Sequence, residues 1–198
     1  GRQQRRNQLV LASMKEWVSG RNPVYEVLTA QRRHVFRLRM AQGLKPDESL
    51  ARILALAKKS RVQVDTVPRD ALDRLSTNHQ GVALETSAYP YQGLEDLIAH
   101  SREQGEPPFF LLLDLIQDPQ NLGSLLRTAE TMGVHGVIIP SSQAAQITPA
   151  VVHASSGATE HLFIAQYNLA QAIARLKQLP DLWVYGLDGK PEARTPNQ

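Results

Sequence analysis

Apolar positions in this chain recur first at helical spacing and then in short β-branched runs, and the alternation of the two patterns predicts a mixed α/β protein. Asn22 suits a helix cap and Pro23 a first helical position, ahead of the apolar positions Val24, Val27 and Leu28. A strand is expected over residues 34–40. Asp47 or Glu48 favours the start of a second helix, because a carboxylate stabilises a helix N-terminus, and Leu50, Ile53, Leu54 and Ala57 share one face of it. Residues 62–67 read as extended from their β-branched content and from the Pro68 that follows. A short helix over 71–75 and a strand over 80–85 complete this alternation, which predicts a small three-layer domain rather than a helical bundle.

Pro90, Gly93, Gly105, Pro107 and Pro108 then punctuate the chain, while residues 94–100 keep an amphipathic pattern, so the domain boundary falls here. The expected organisation is a flexible basic tail over 1–19, a first domain over 20–87, a linker with one short helix over 88–107, and a second domain over 108–198. Such a linker would let the domains close around a large substrate. The continuous apolar run 109–114 suits a central parallel strand covered on both faces. A helix capped by Asn121, a strand over 134–139, a short helix over 149–154 and a strand over 162–165 follow. A helix burying Leu169, Ile173 and Leu176 and a final strand over 182–187 make the second part a parallel α/β unit.

Composition narrows the function. The absence of Cys excludes disulfides, thiolate zinc sites and a cysteine nucleophile, and it suits a reducing compartment, so cytoplasm is the expected location, with an organellar matrix as the alternative. No apolar run is long enough to span a bilayer, so no membrane partner is expected. The net charge of +3 is unevenly placed: residues 1–40 hold nine Lys/Arg against two Asp/Glu, and the remainder thirteen against seventeen. A positive first part suits either attraction of a polyanion or a solubilising basic tail. His135 and His153 have no companion cluster of ligating side chains, so no metal is expected, and Ser155 and Ser156 lack a recognisable base for hydrolysis.

At roughly 100° per helical residue, Leu122, Leu125, Leu126, Ala129 and Met132 fall on one face of their helix, and Gly123, Ser124, Arg127 and Thr131 on the other. Arg127 is thereby aimed at a polar ligand, and its planar guanidinium suits a phosphate, although an ordinary solvated arginine fits the same pattern. Asn121 reads as a helix cap. Gly123 serves either packing or close approach of a ligand.

Residues 114–140, Asp-Leu-Ile-Gln-Asp-Pro-Gln-Asn-Leu-Gly-Ser-Leu-Leu-Arg-Thr-Ala-Glu-Thr-Met-Gly-Val-His-Gly-Val-Ile-Ile-Pro, resemble the first signature motif of the SpoU/TrmH ribose methyltransferases, with Asn121, Gly123, Arg127, Ala129 and Gly133 as its core. Gly20 to Leu28 is similar to the opening of the accessory RNA-binding domain of the ribosomal members, Asn78 to Val82 to a signature near that domain's end, and Ser155 to Glu160 to a later catalytic-domain signature. The resemblance implies an α/β fold: a small ribosomal-protein-like substrate-binding domain followed by the first part of an α/β-knot (SPOUT) methyltransferase domain. It also implies transfer of a methyl group from S-adenosyl-L-methionine to the ribose 2′-hydroxyl of a guanosine in large-subunit ribosomal RNA, by a homodimer joined through the knotted domain. A non-catalytic RNA-binding or assembly module is the alternative. Asn121 and Arg127 are the catalytic candidates. Arg21, Asn22, Arg32, Arg33, Arg37, His79, Gln80, Gly123 and Ser124 are the expected RNA contacts. Glu130, Ser155, Gly157 and Glu160 are expected to support the site. The family's cofactor loops, a Gly-Ser-Glu-Gly-type turn and a Ser-Leu-Asn helix, do not follow Asp188, so cofactor contacts are expected mainly after Gln198.

Overall fold

In the computed structural model, which describes residues 14–142, 144–180 and 182–187, the chain forms two sheets that share one apolar core. The first sheet has the order β1 (Lys15–Ser19), β4 (Val82–Ser87), β2 (Val35–Ala41), β3 (Gln63–Val67). Strands β1 and β2 lie antiparallel to β4, and β3 lies parallel to β2. Helices α1 (Arg21–Ala30) and α2 (Glu48–Lys59) pack on the face that carries Leu38 and Leu84. The short α3 (Arg69–Asp73) places Leu72 against Ala41 and Ala83 on the opposite face. Asp47 caps α2, its carboxylate accepting from the Leu50 amide at 2.9 Å.

Part of the expected tail is therefore structural. Lys15–Ser19 pairs with β4 and buries Val18 completely, because β4 is a central strand whose outer backbone groups need a partner. Residues 1–13 of the expected tail lie outside the described residues. The first helix also begins one residue before Asn22. Gly20, at φ 96°, turns the chain out of β1, and the Gln80 side chain accepts from the Arg21 amide at 2.8 Å, capping the helix from a distant loop.

The second sheet is parallel, in the order β5 (Phe110–Leu112), β6 (Gly136–Ile139), β7 (Ile164–Gln166). Side chains of β6 alternate as a strand requires. Ile138 packs toward α4 (Leu94–Glu103) and α7 (Leu169–Leu176), whereas Val137 and Ile139 join the cluster that holds α5 (Pro119–Thr131) and α6 (Pro149–Ala154). A 3₁₀ turn at Ala158–His161 follows α6. The central position belongs to β6, all four residues of which are buried, while the 109–114 run forms a three-residue strand paired on one side among the described residues. Residues 182–187 are not a strand: they join neither sheet, and Trp183, Tyr185 and Leu187 stay exposed.

The two parts are packed against each other through a shared buried cluster. Val18, Val24, Val27 and Leu38 of the first part lie in the same buried cluster as Leu122, Leu126, Val137 and Val151 of the second. Continuous packing of this kind resists the expected closing motion, since moving one part would expose apolar area at about 25 cal/mol per Å².

Candidate functional site

The joint between the parts is built from side chains that sequence assigned to RNA. Arg33 is completely buried and makes a two-pronged contact with Glu160, Nε to Oε2 at 2.9 Å and Nη2 to Oε1 at 2.8 Å, while Nη1 pairs with Glu16 and reaches the Ser87 carbonyl at 3.3 Å. The two glutamates hold Arg33 protonated although burial opposes its charge, and burial raises the Glu16 carboxyl above its usual range although Arg33 stands beside it. Arg32 Nη1 donates to the Glu160 carbonyl at 3.1 Å and to that of Leu162, with its guanidinium 5.0 Å from the Phe163 ring. The buried Tyr89 hydroxyl is directed at the Thr159 and Leu162 carbonyls, 2.9 and 2.7 Å away, and burial raises its pKa so that it remains a donor. Gly157, at φ 88°, completes the joint: an added Cβ would lie 2.7 Å from the Glu26 Cβ on α1.

These contacts correct several expectations. Arg33 cannot reach a polyanion, and Arg32 is committed to main-chain carbonyls. Arg37 pairs with Glu85 at 2.8 Å and Asp65 at 3.8 Å, and Arg21 pairs with Asp47, so local partners already neutralise both. His79 is buried. Its Nδ1 accepts from the Gly81 amide at 2.8 Å, which leaves Nε2 to donate to Asp73 at 2.9 Å, and the ring thus braces a turn. Gly123 is a packing glycine, because a Cβ there would stand 2.5 Å from the Ala154 Cβ. Glu160 belongs to the joint, and Ser155 is buried with its hydroxyl donating to the Val152 carbonyl at 3.0 Å.

Against the outside of this joint lies a polar cleft of about 520 Å³ with walls from both parts. Asn22, Tyr25 and Glu26 come from α1, Ser49 and Arg52 from α2, and Arg127, Glu130 and Thr131 from α5, with Ser156 and His161 closing the floor. Helix α5 is oriented by its cap. Asp118 accepts from the Asn121 amide at 2.8 Å and Pro119 occupies the first helical position, so Asp118 is the cap and Asn121 sits exposed on the first turn. Leu122, Gly123, Leu126 and Ala129 are buried, which turns Arg127 into the cleft and leaves Leu125 and Met132, expected in the core, 38% and 62% exposed.

Of the expected site residues, the cleft gathers Asn22, Arg127, Glu130 and Ser155. It does not gather Asn121, Ser124 or Gln80, which are exposed elsewhere. Tyr25, Arg52 and His161 escaped sequence reasoning. Tyr25 lies inside the Gly20–Leu28 segment and His161 directly follows the Ser155–Glu160 segment, whereas Arg52 carried no sequence signal. His161 engages Glu26 at 2.6 Å, and Arg52 Nη2 donates to the Tyr25 hydroxyl at 2.6 Å. Among the described residues, neither Arg127 nor Arg52 forms an ion pair, so the cleft offers two guanidiniums to an anion.

Comparison with known proteins matches both parts. Residues 108–197 match the SpoU rRNA Methylase family and residues 17–92 the family described as RNA 2′-O ribose methyltransferase substrate binding. The chain is 39% identical over 180 residues to a TrmH family tRNA/rRNA methyltransferase of Bacillus subtilis, covering 90% of this chain and 71% of that one. It is 36% identical over 192 residues to an uncharacterized tRNA/rRNA methyltransferase of Mycobacterium sp. (strain KMS), covering 94% of this chain and 60% of the relative. The fold is shared with the SpoU methyltransferase AviRb of Streptomyces viridochromogenes in complex with AdoMet (TM-score 0.64, 18% identity, 87% of this chain and 65% of that one). It is also shared with the AdoMet-bound rRNA methyltransferase of Sinorhizobium meliloti (TM-score 0.62, 22% identity, 81% and 57%).

Proposed function

This chain belongs to the SpoU/TrmH family of RNA methyltransferases, and from that premise we propose that the whole protein transfers a methyl group from S-adenosylmethionine to the ribose 2′-hydroxyl of a guanosine in large-subunit ribosomal RNA. The observation that carries this reading is Arg127, unpaired among the described residues and turned into a polar cleft by the packing of α5. A ribose hydroxyl must be aligned with the methyl donor and lose its proton as it attacks. Arg127 fixes the neighbouring phosphate. It is not a freely deprotonated base, its reference pKa being above about 12. Asn121 orients the ribose from the open end of α5. Six helical residues separate the two by about 9 Å of rise and roughly 240° of rotation, so they contact different parts of the RNA.

The cleft does not fit the methyl donor. Its sulfonium is a cation, whereas the cleft carries two guanidiniums without paired acids, and its adenine needs an apolar slot that this charged and hydroxyl-rich lining does not make. We assign the donor to residues outside this cleft. Exposed Leu125 and Met132, seven residues apart on α5, support a homodimer, and the absence of Cys supports a cytoplasmic setting. The test is methyl transfer by the source protein to a large-subunit ribosomal RNA fragment, followed by mass spectrometry of the nucleosides. A label on guanosine ribose is expected. A label on a base would refute the reaction, and RNA binding with no transfer would favour the assembly module.

A further inference from the structure

The cleft contains a second arginine that the catalytic reading of Arg127 does not use. Arg52 projects from α2 with its guanidinium lying 4.4 Å from the Tyr25 ring and donating to the Tyr25 hydroxyl at 2.6 Å. A phenol fixes the direction of a guanidinium without neutralising it, so the remaining donors stay available to an anion. Ser49 lies one helical turn before Arg52 on the same wall, and Arg127 lines the cleft from α5.

The other charges specify the ligand further. Glu26 is occupied by His161 at 2.6 Å, whereas the Glu130 carboxylate has no hydrogen-bond partner among the described residues and stands one turn from Arg127. Two guanidiniums beside a vacant carboxylate and several hydroxyls suit a molecule that combines a phosphate with hydroxyl donors. A ribonucleotide unit has that combination, and at about 520 Å³ the cleft lies in the size range of small-ligand sites. The walls are pre-positioned, because Arg33 and Glu160 bind the first part to the second through a buried, two-pronged contact. Groups held in place before binding lose less freedom when the ligand arrives.

We propose that Arg52 is a second phosphate anchor that acts with Arg127, so that one RNA nucleotide is gripped by both parts of a single chain. The proposal rests on the RNA-substrate reading given above. Its test is fluorescence anisotropy of a labelled single-stranded RNA titrated with the 198-residue protein over a series of salt concentrations. Arg52→Ala should weaken binding about 10- to 100-fold, as loss of a charge-assisted hydrogen bond does, and reduce the slope of log affinity against log salt by about 0.7 for a single-strand phosphate contact. Arg52→Lys should recover part of the loss, because it keeps the charge without the fork. Tyr25→Phe, which removes only the hydroxyl that aims the guanidinium, should lose less than Arg52→Ala. Circular dichroism should show all three folded, since Arg52 is exposed on α2. If Arg52→Ala matches the parent in affinity and salt slope while Arg127→Ala weakens binding, the second anchor is refuted and the RNA reading stands. If the unsubstituted protein binds no RNA, the substrate reading fails and this proposal with it.

Discussion

Replacing Arg33 by Met should destabilise the protein far more than replacing its partner Glu160 by Gln. Both side chains are out of solvent, at 0% and 1% exposure, and they meet through two hydrogen bonds of 2.9 and 2.8 Å. Without Arg33, the Glu160 carboxylate keeps only the Thr159 hydroxyl at 3.3 Å and has no countercharge, a situation that costs about 3–5 kcal/mol. For a chain of this size each kcal/mol moves the melting midpoint by roughly 2–4 °C, so a fall of about 6–20 °C is expected. Glu160→Gln leaves Arg33 its contacts with Glu16 and the Ser87 carbonyl, and the amide oxygen still accepts one guanidinium N–H. Its cost is that of one weakened charged hydrogen bond, about 1.5–3 kcal/mol. The double variant Arg33→Met, Glu160→Met removes the Arg33–Glu160 pair, leaves only Glu16 without its partner, and should recover part of the stability lost in Arg33→Met alone, as apolar replacement of buried ion pairs commonly does. Urea unfolding followed by circular dichroism and by tryptophan fluorescence supplies the comparison. A Glu160→Gln variant as unstable as Arg33→Met, or a double variant no better than the single, would show that the joint is not held by paired buried charge.

The same joint has a pH signature. Burial raises the folded pKa of Glu16, so its contribution to stability is fully present below the unfolded value of 4.5 and is lost as pH rises through the folded value; the parent should therefore gain on Glu16→Gln as pH is lowered from 7 toward 4.5, and a parallel pair of stability curves would contradict this. On α5, Asp118→Ala should cost about 1 kcal/mol for the lost cap, whereas Asn121→Ala should leave thermal stability unchanged and lower methyl transfer by the source protein; equal stability losses would return the cap to Asn121. Arg127→Ala in the source protein should reduce methyl transfer far more than it reduces cofactor affinity, which methylation kinetics and cofactor titration measure separately.

Much of the fold was legible because the relevant signals are local. Leu50, Ile53 and Ala57 repeat at helical spacing and are buried in α2, and Asp47 caps that helix as its position suggests. The β6 segment is apolar at every position and lies fully buried in the parallel sheet. Where the reading failed, the deciding contact was distant in sequence. β1 exists because β4, more than 60 residues later, needs an edge partner, and no window around Lys15 contains that fact. The face of α5 was misplaced by roughly 50°, half a residue's rotation, because Gly123 counts as polar in a helical wheel, yet α6 packs there too closely for a Cβ. Asp118-Pro119 was the available cap signal and was overshadowed by Asn121 in the signature.

Counting charges along the chain led to a different error, and its cause bears on how this protein meets RNA. Nine Lys/Arg against two Asp/Glu before Ala41 suggested a basic surface, but a count does not record pairing. Arg21 meets Asp47, Arg37 meets Glu85 and Asp65, and Arg33 meets Glu160 as well as Glu16, so acids from outside that window pair with three of its arginines. A paired arginine must break its bridge to contact a phosphate, and it therefore contributes less to binding than an unpaired one of equal exposure. Within the cleft, Arg52 and Arg127, one from each part, form no ion pair among the described residues. It follows that the buried joint and the cleft act together: Arg33 and Glu160 bring α1 and α2 against the α5 side of the second part, and that placement puts the two unpaired guanidiniums into the same recess. Loosening the joint should thus weaken RNA binding even though neither Arg33 nor Glu160 can touch RNA.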